Sequence, residues 1–342
     1  MNEVEAAIMK QEDLDRFIRT ASEAYSVFGP KKKEVTHAFG EIKSAYEIDL
    51  KYRTTILPPK KMFHPPRETL FGFSRENGFS ANQETEKSGR VLLVGVHACD
   101  LNAMLRLDKF FTEEFRDPQY LSRRESSTIV ALNCTEIGES CFCHSMGTGP
   151  ECSAGFDLSM TDLGDRYLVE IGTDVGHRLL HSLGLPKANE GDLEEKRSRL
   201  AHAKESFKKF IDIEGLAEAA ARSFDHPIWK ELGAIDLSCG SCSLVCPTCY
   251  CYDVLDRIDL QLQHGERLRE LDSCQLLEYA SVALGGNFRS ERTDRMRQWM
   301  LCKLRYTGQE HGFSGCVGCG RCIGACTVHI DITQVAARIR GG

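Results

Sequence analysis

The chain has 342 residues, of which 42% are hydrophobic and 27% charged, and its formal net charge is −7. This length and composition predict a globular protein of two or three domains, and the acidic balance argues against nucleic-acid binding, because phosphates require a basic surface. Apolar runs stay below the roughly 18 to 20 residues of a membrane helix, and the N-terminus lacks the basic and apolar regions of a signal peptide. We therefore expect a cytoplasmic protein without membrane insertion.

The first 70 residues contain two distinct patterns. Apolar residues recur at helical spacing over residues 4–28, which predicts an amphipathic helix ending at Gly29-Pro30. Residues 50–68 contain four prolines and are predicted to be extended.

The next segments indicate an α/β unit. Residues 90–97 have the apolar pattern of a buried strand and are followed by a helix that we expect Asp100 to cap. Further strands are predicted over 128–133 and 167–171, and residues 192–223 are charged and helical in pattern. The fold class expected is α+β, with an N-terminal α/β domain over residues 1–230.

Sixteen cysteines exceed what packing requires in a cytosolic chain and indicate metal ligands or redox groups. Cys316, Cys319, Cys322 and Cys326 form a complete C-x2-C-x2-C-x3-C run. Three closely spaced thiolates of such a run bind one iron-sulfur cubane, while the fourth binds a neighbouring cluster. This run predicts iron and sulfide in preference to zinc, which needs only four ligands in two pairs.

An upstream segment repeats the pattern with one change. Cys239, Cys242 and Cys246 have the same spacing, but Asp236 stands where the first cysteine is expected. A carboxylate can bind iron, so the pattern allows two interpretations, an Asp-ligated four-iron cluster or a three-iron cluster. In a further alternative Asp236 caps a helix, and Cys249 or Cys251 completes the cluster.

The two runs together predict exchanged ligands. Cluster one would be bound by Asp236, Cys239, Cys242 and Cys326, and cluster two by Cys246, Cys316, Cys319 and Cys322. The intervening residues have helical patterns over 255–262, 276–284 and 296–304. We therefore predict that residues 231–342 form an all-helical ferredoxin-like domain with two [4Fe-4S] clusters.

A third group of cysteines lies in the N-terminal domain. It comprises Cys134, Cys141, Cys143 and Cys152, on a glycine-rich loop after a predicted strand. We predict a third [4Fe-4S] cluster here, with zinc and His144 as the competing interpretation.

The isolated cysteines Cys99, Cys274 and Cys302 have the character of small buried hydrophobic residues. Cys99 has an alternative role as a nucleophile at a helix N-terminus, where a thiol pKa falls, although no catalytic partner is evident. A broader alternative is a zinc-stabilised scaffold or interaction protein without a redox role.

Four segments carry a resemblance to a known family. They are Pro65-Pro-Arg-Glu-Thr-Leu-Phe, Gly95-Val-His-Ala-Cys-Asp-Leu-Asn-Ala, Cys141-Phe-Cys-His-Ser-Met-Gly-Thr-Gly and Cys239-Gly-Ser-Cys-Ser-Leu-Val-Cys-Pro-Thr-Cys-Tyr-Cys-Tyr-Asp-Val. They resemble the iron-sulfur β subunit of cytoplasmic sulfhydrogenases, which are NiFe hydrogenases. The same family includes the A subunit of anaerobic sulfite reductase and ferredoxin-like subunits that feed heterodisulfide reductase. Its members commonly have cysteine where this chain has Asp236.

The resemblance covers roughly residues 50 to 330 and implies a non-catalytic electron-transfer subunit. Such a subunit relays electrons between a flavin- and NAD(P)-binding subunit and a terminal catalytic subunit of the hydrogenase, heterodisulfide reductase or sulfite reductase type. The chain has no P-loop and no strand followed by G-x-G-x-x-G, which agrees with a flavin or nucleotide bound by a partner.

Overall fold

The computed structural model describes residues 6–75, 78–82, 89–113 and 115–341, and its architecture is mixed α/β. The strands are β1 (Ala6–Lys10), β2 (Ser26–Lys33), β3 (Thr36–Glu41), β4 (Arg67–Ser74), β5 (Ser80–Asn82), β6 (Val91–His97), β7 (Ser127–Leu132), β8 (Leu158–Asp162), β9 (Arg166–Ile171), β10 (Tyr252–Ile258) and β11 (His264–Leu271). They form two sheets.

The α-helices are α1 (Gln11–Ala21), α2 (Ala98–Thr112), α3 (Pro118–Glu125), α4 (Asp174–His181), α5 (Glu190–Glu205), α6 (Leu216–Arg222), α7 (Ile228–Ile235), α8 (Ser241–Leu244), α9 (Arg292–Leu301), α10 (Thr307–His311), α11 (Arg321–Gly324) and α12 (Ile332–Gly341). Short 3₁₀ turns cover Ala45–Glu47, Pro59–Met62, Glu278–Ala280 and Ala283–Gly285, and a π-helical turn, Cys302–Tyr306, continues α9. Within the described ranges, no helix has the length and apolar character needed to cross a membrane.

The first sheet has seven strands in the order β1-β9-β8-β7-β6-β2-β3. Its central strands β2, β6, β7 and β8 are parallel neighbours, and antiparallel strands flank them. Leu92, Leu93 and Val94 are fully buried at its centre, as expected for strands covered on both faces. The predicted strands over 90–97, 128–133 and 167–171 are thus confirmed as β6, β7 and β9.

Two details near the N-terminus differ from the sequence-based expectation. The predicted helix over 4–28 is wrong at both ends, because residues 6–10 pair with β9 and residues 26–33 lie between β3 and β6. Ala7, Ile8 and Met9 are all buried, and a strand buried on both faces lacks the alternation that separates it from a helix. Helix α2 begins at Ala98 after His97, so Asp100 lies in its first turn and does not cap it.

The second sheet has the order β10-β11-β4-β5 and combines strands from both sides of residue 230. The prediction that residues 231–342 are all helical is therefore wrong for β10 and β11, which replace the predicted helix over 255–262. The pairing of Arg269 with Glu68, at 2.6 Å in a buried position, holds β11 against β4. This pairing joins residues about 200 positions apart, which local sequence patterns do not reveal.

Candidate metal centre

The two cysteine runs adopt the same backbone conformation. Gly240 and Gly320 have φ angles of 73° and begin the short helices α8 and α11, which pack against each other. In both runs the residue two positions before the last cysteine donates its amide to the glycine carbonyl. Leu244 donates to Gly240 at 3.0 Å, and Gly324 donates to Gly320 at 3.1 Å. The runs are therefore structural repeats, and Asp236 occupies the sequence position equivalent to Cys316.

The four residues predicted to bind cluster one lie around one cavity. Asp236, Cys239, Cys242 and Cys326 all line it. Burial raises the pKa of Cys242, and the negative charge of Asp236 raises it further, followed by those of Cys246, Cys239 and Cys326. The Ile330 amide donates a hydrogen bond to Cys326 Sγ at 3.2 Å, as amides around iron-sulfur ligands commonly do.

The helix-cap interpretation of Asp236 stays open beside the ligand interpretation, because Asp236 is the C-terminal cap of α7 and its amide donates to the Leu232 carbonyl at 2.8 Å. Asp236 directly follows α7, and its carboxylate accepts hydrogen bonds from the Ser238 amide at 3.1 Å and the Ser238 hydroxyl at 3.3 Å. The N-terminal cap of α8 is Gly240. Cys249 and Cys251 line a different cavity.

The four cysteines predicted to bind cluster two also lie close together. Burial raises the pKa of Cys316 to about 11 and of Cys319 to about 12, and it raises the pKa of Cys322, where the charges of Cys316, Cys319 and Cys246 add to the effect. The Gly318 amide donates to Cys316 Sγ at 3.4 Å. The fourth member, Cys246, differs, because the neighbouring Cys249 thiol and the charges of Lys303 and Lys60 lower its pKa although burial raises it. Metals bind cysteine as thiolate in either case, so this donor set fits a thiolate-ligated cluster.

The third group converges on the loop after β7. Burial raises the pKa of Cys134, and the negative charges of Cys143, Cys152 and Cys141 raise it further. The loop is held by backbone contacts, in which the Cys134 amide donates to the Pro150 carbonyl at 3.0 Å. His144 is exposed, and its ring lies 5.7 Å from that of Phe207.

The third group lies directly against the second. The Phe142 amide donates to the Gly318 carbonyl at 2.8 Å, and the Thr148 hydroxyl donates to the Val317 carbonyl at 2.7 Å. A Cβ on Gly318 would lie 2.6 Å from backbone atoms of Cys143, so this contact requires glycine. Sequence spacing predicted the members of each group but not this contact between loops about 170 residues apart.

Buried or half-buried charged residues surround these groups, and the sequence analysis did not assign them to the site. Arg321 forms a buried ion pair with Asp100, with N···O distances of 2.6 and 2.7 Å. Arg106 donates to the Cys316 carbonyl at 2.7 Å, and Lys60 donates to the Cys246 carbonyl at 2.7 Å. The sequence signals available were the place of Arg321 inside a cysteine run and that of Asp100 in a segment of the family resemblance.

The nucleophile hypothesis for Cys99 loses its physical basis. Its thiol is buried in the first turn of α2, and burial raises its pKa well above the usual value. The helix N-terminus would lower that pKa, but desolvation outweighs this effect.

Within the described residues, the cysteines are neither paired in disulfides nor grouped around a single metal ion. All sixteen cysteines lie in the described residues, and each is outside any disulfide. Within the described ranges, no three His, Cys, Asp or Glu side chains are placed to hold a single metal ion. The ligands of a cubane bind four separate irons and stand farther apart than ligands of one zinc, whose Zn–S bonds measure about 2.3 Å.

Comparison with known proteins agrees with this geometry. Residues 236–330 match a family described as a 4Fe-4S dicluster domain. The chain is 36% identical to the sulfhydrogenase 2 subunit beta of Pyrococcus furiosus, and the alignment covers 98% of each chain. The chain belongs to the sulfhydrogenase beta-subunit family. The dicluster domain and the hydrogenase-subunit relative together show that this chain is an iron-sulfur electron-transfer subunit. No solved structure matches the chain.

Proposed function

We propose that this beta subunit holds three [4Fe-4S] clusters and relays electrons within a cytoplasmic multi-subunit oxidoreductase. Cluster one is assigned to Asp236, Cys239, Cys242 and Cys326, cluster two to Cys246, Cys316, Cys319 and Cys322, and cluster three to Cys134, Cys141, Cys143 and Cys152. The observation that carries the proposal is the repeated motif, in which α8 and α11 pack together with identical glycine turns. This packing supports the exchange of one ligand between the runs, as in two-cluster ferredoxins.

The order of the three groups suits a relay. Groups one and two share the packed helices, since Cys246 and Cys326 end the two runs. Groups two and three share the contact of Gly318 with Phe142. When bound, each cubane supplies one-electron redox chemistry. The chain contributes the thiolates, the amide donors to sulfur, and cations such as Arg106, beside Cys316, that offset negative charge.

The proposed partners follow from what the sequence lacks and from the relative's name. The chain has no recognisable nucleotide-binding motif, and the relative is one subunit of a sulfhydrogenase. We assign flavin and NAD(P) to one partner, and the terminal reaction, of hydrogenase, heterodisulfide reductase or sulfite reductase type, to another. The ferredoxin-like part is placed at residues 231–342 and the third cluster in residues 1–230.

Metal content tests the clusters. The chain purified without oxygen should be brown and contain iron and acid-labile sulfide in equal amounts. The double variant Cys141→Ala/Cys143→Ala should contain about four irons fewer per chain than the parent, because each cubane holds four. Alanine is used because serine oxygen can still bind iron. A colourless parent containing zinc would refute the proposal and support the scaffold alternative.

Reduction by different donors tests the relay. Dithionite should bleach the visible absorption of the isolated chain, whereas NADH and NADPH should not. In the complex purified through a tag on this chain, NADH or NADPH should bleach the same absorption through the flavin-containing partner. Direct reduction of the isolated chain by NAD(P)H would contradict the assignment of flavin and nucleotide binding to a partner.

A further inference from the structure

Four cysteines outside the three proposed clusters line a single cavity. Cys249, Cys251, Cys274 and Cys302 surround a space of about 190 Å³ next to the dicluster region. For comparison, a cavity of about 150 Å³ inside a protein accepts a benzene molecule. The neighbouring Cys251 thiol raises the pKa of Cys274, and burial and the charge of Cys302 raise it further, so these three thiols are close neighbours. The fold thus gathers thiols from three separate segments of the chain.

We propose that these four cysteines bind a fourth iron-sulfur cluster of the [4Fe-4S] type. This inference extends the proposed electron-transfer function and rests on it for the role of the site. The four residues fall outside any recognised run, because their spacings are one, 22 and 27 intervening residues.

Two buried ammonium groups face the same thiols. Lys303 is 3% exposed, its Nζ donates to the Thr248 hydroxyl at 2.9 Å, and burial lowers its pKa while the nearby charges of Cys246, Cys249 and Cys302 raise it. Lys60 is also 3% exposed and donates to the Cys249 carbonyl. Burying a cation is unfavourable unless a negative charge accompanies it. Cys246 of cluster two supplies part of that charge to both lysines, and a thiolate-ligated cluster beside Cys249 would add to it, which four neutral thiols do not.

The cavity wall contains a donor without an acceptor. Trp299 is 3% exposed, and its Nε1 has no hydrogen-bond partner among the described residues. The indole lines both this cavity and the one bounded by Asp236, Cys239 and Cys242. Indole N–H groups need an acceptor when buried, and the sulfur atoms of an iron-sulfur cluster accept hydrogen bonds.

The local backbone is also unusual at this site. Cys302 and Lys303 lie in the π-helical turn that follows α9, and such turns occur frequently at functional sites. The turn places Cys302 and Lys303 on the same cavity, next to Trp299 on the preceding helix. The proposed fourth cluster would therefore be a neighbour of cluster one across the Trp299 indole.

Counting clusters in the intact chain is the decisive experiment. Native mass spectrometry of the anaerobically purified protein should give a mass with four cubanes, and chemical analysis should give about sixteen irons per chain. The variant Cys274→Ala/Cys302→Ala should retain about three quarters of that iron. The control Thr307→Ser changes the same cavity wall without removing a thiol and should keep the full iron content.

The outcomes separate the two proposals. Three cubanes in the parent protein, or an unchanged iron content in the double variant, would overturn the fourth cluster and leave the three-cluster relay intact. Zinc in place of the missing irons would also overturn it. If the double variant does not fold, the cluster count of the parent decides the question by itself. Absence of any cubane in the parent would refute both proposals.

Discussion

Gly320 offers the most specific test of how the cysteine loops fit together. A Cβ at this position would lie 2.2 Å from the Ser140 carbonyl oxygen, and the residue has a φ of 73°. Placing alanine in this left-handed conformation costs about 1–2 kcal/mol, and overpacking against backbone adds about 1–3 kcal/mol. The Gly320→Ala variant should therefore lose roughly 2–5 kcal/mol of stability.

Two glycines of the same repeats provide matched controls. Gly240 has the same φ of 73°, but its Cβ would lie 3.0 Å from the Ser273 side chain and clear of backbone, so Gly240→Ala should lose about 1–2 kcal/mol. Gly324 has open space around it at the end of α11, and Gly324→Ala should be neutral or gain up to about 1 kcal/mol.

The assay is thermal loss of visible absorption in the cluster-loaded proteins at one heating rate, because unfolding with bound clusters is not two-state. The midpoint of Gly320→Ala should fall by roughly 5–15 °C, that of Gly240→Ala by less, and that of Gly324→Ala should stay close to the parent. Iron analysis should show that Gly320→Ala loses the third cluster first, since Ser140 belongs to that loop. A Gly320→Ala midpoint equal to that of Gly324→Ala would refute the close contact between the loops.

Three further variants test the surroundings of the clusters. Mild oxidation of the parent should give a three-iron paramagnetic resonance signal. The Asp236→Cys variant should lack this signal, because thiolate holds iron more firmly than carboxylate. Identical spectra of the two proteins would exclude Asp236 as a ligand. Asp100→Asn leaves the buried Arg321 charge unpaired and should lower stability by about 3–5 kcal/mol in denaturation, whereas Glu139→Gln, at an exposed ion pair, should change it by about 0–1 kcal/mol. Arg106→Met removes a cation beside Cys316 and should lower the reduction potential of cluster two in a redox titration; an unchanged or raised potential would contradict this.

The buried cations near the clusters differ in whether a carboxylate neutralises them. Arg321 is paired with Asp100, whereas the contacts of Lys60 and Lys303 are carbonyls, a hydroxyl and thiols. Arg321 thus adds little net charge near Cys319 and mainly joins α11 to α2. The two lysines carry charge without a paired carboxylate in these contacts, and they lie on the side of the four additional cysteines.

The sequence by itself determined the features that depend on neighbouring residues. The spacing of Cys316, Cys319 and Cys322 predicts a cluster because one short loop must supply three ligands to one metal core. The buried strands β6, β7 and β9 were predictable because short, mostly apolar runs that contain Val or Ile favour a strand over a helix. Asp236 was identified as a candidate because the second run repeats the spacing of the first.

Tertiary structure decided which distant segments meet. β1 became a strand because β9 offers a pairing edge, and β10 and β11 became a hairpin because β4 supplies a partner with Glu68 facing Arg269. Hydrogen bonds to a partner strand outweigh weak local preference, and a single sequence does not record the partner. Cys274 and Cys302 are isolated in the sequence for the same reason, and only the fold places them on one cavity.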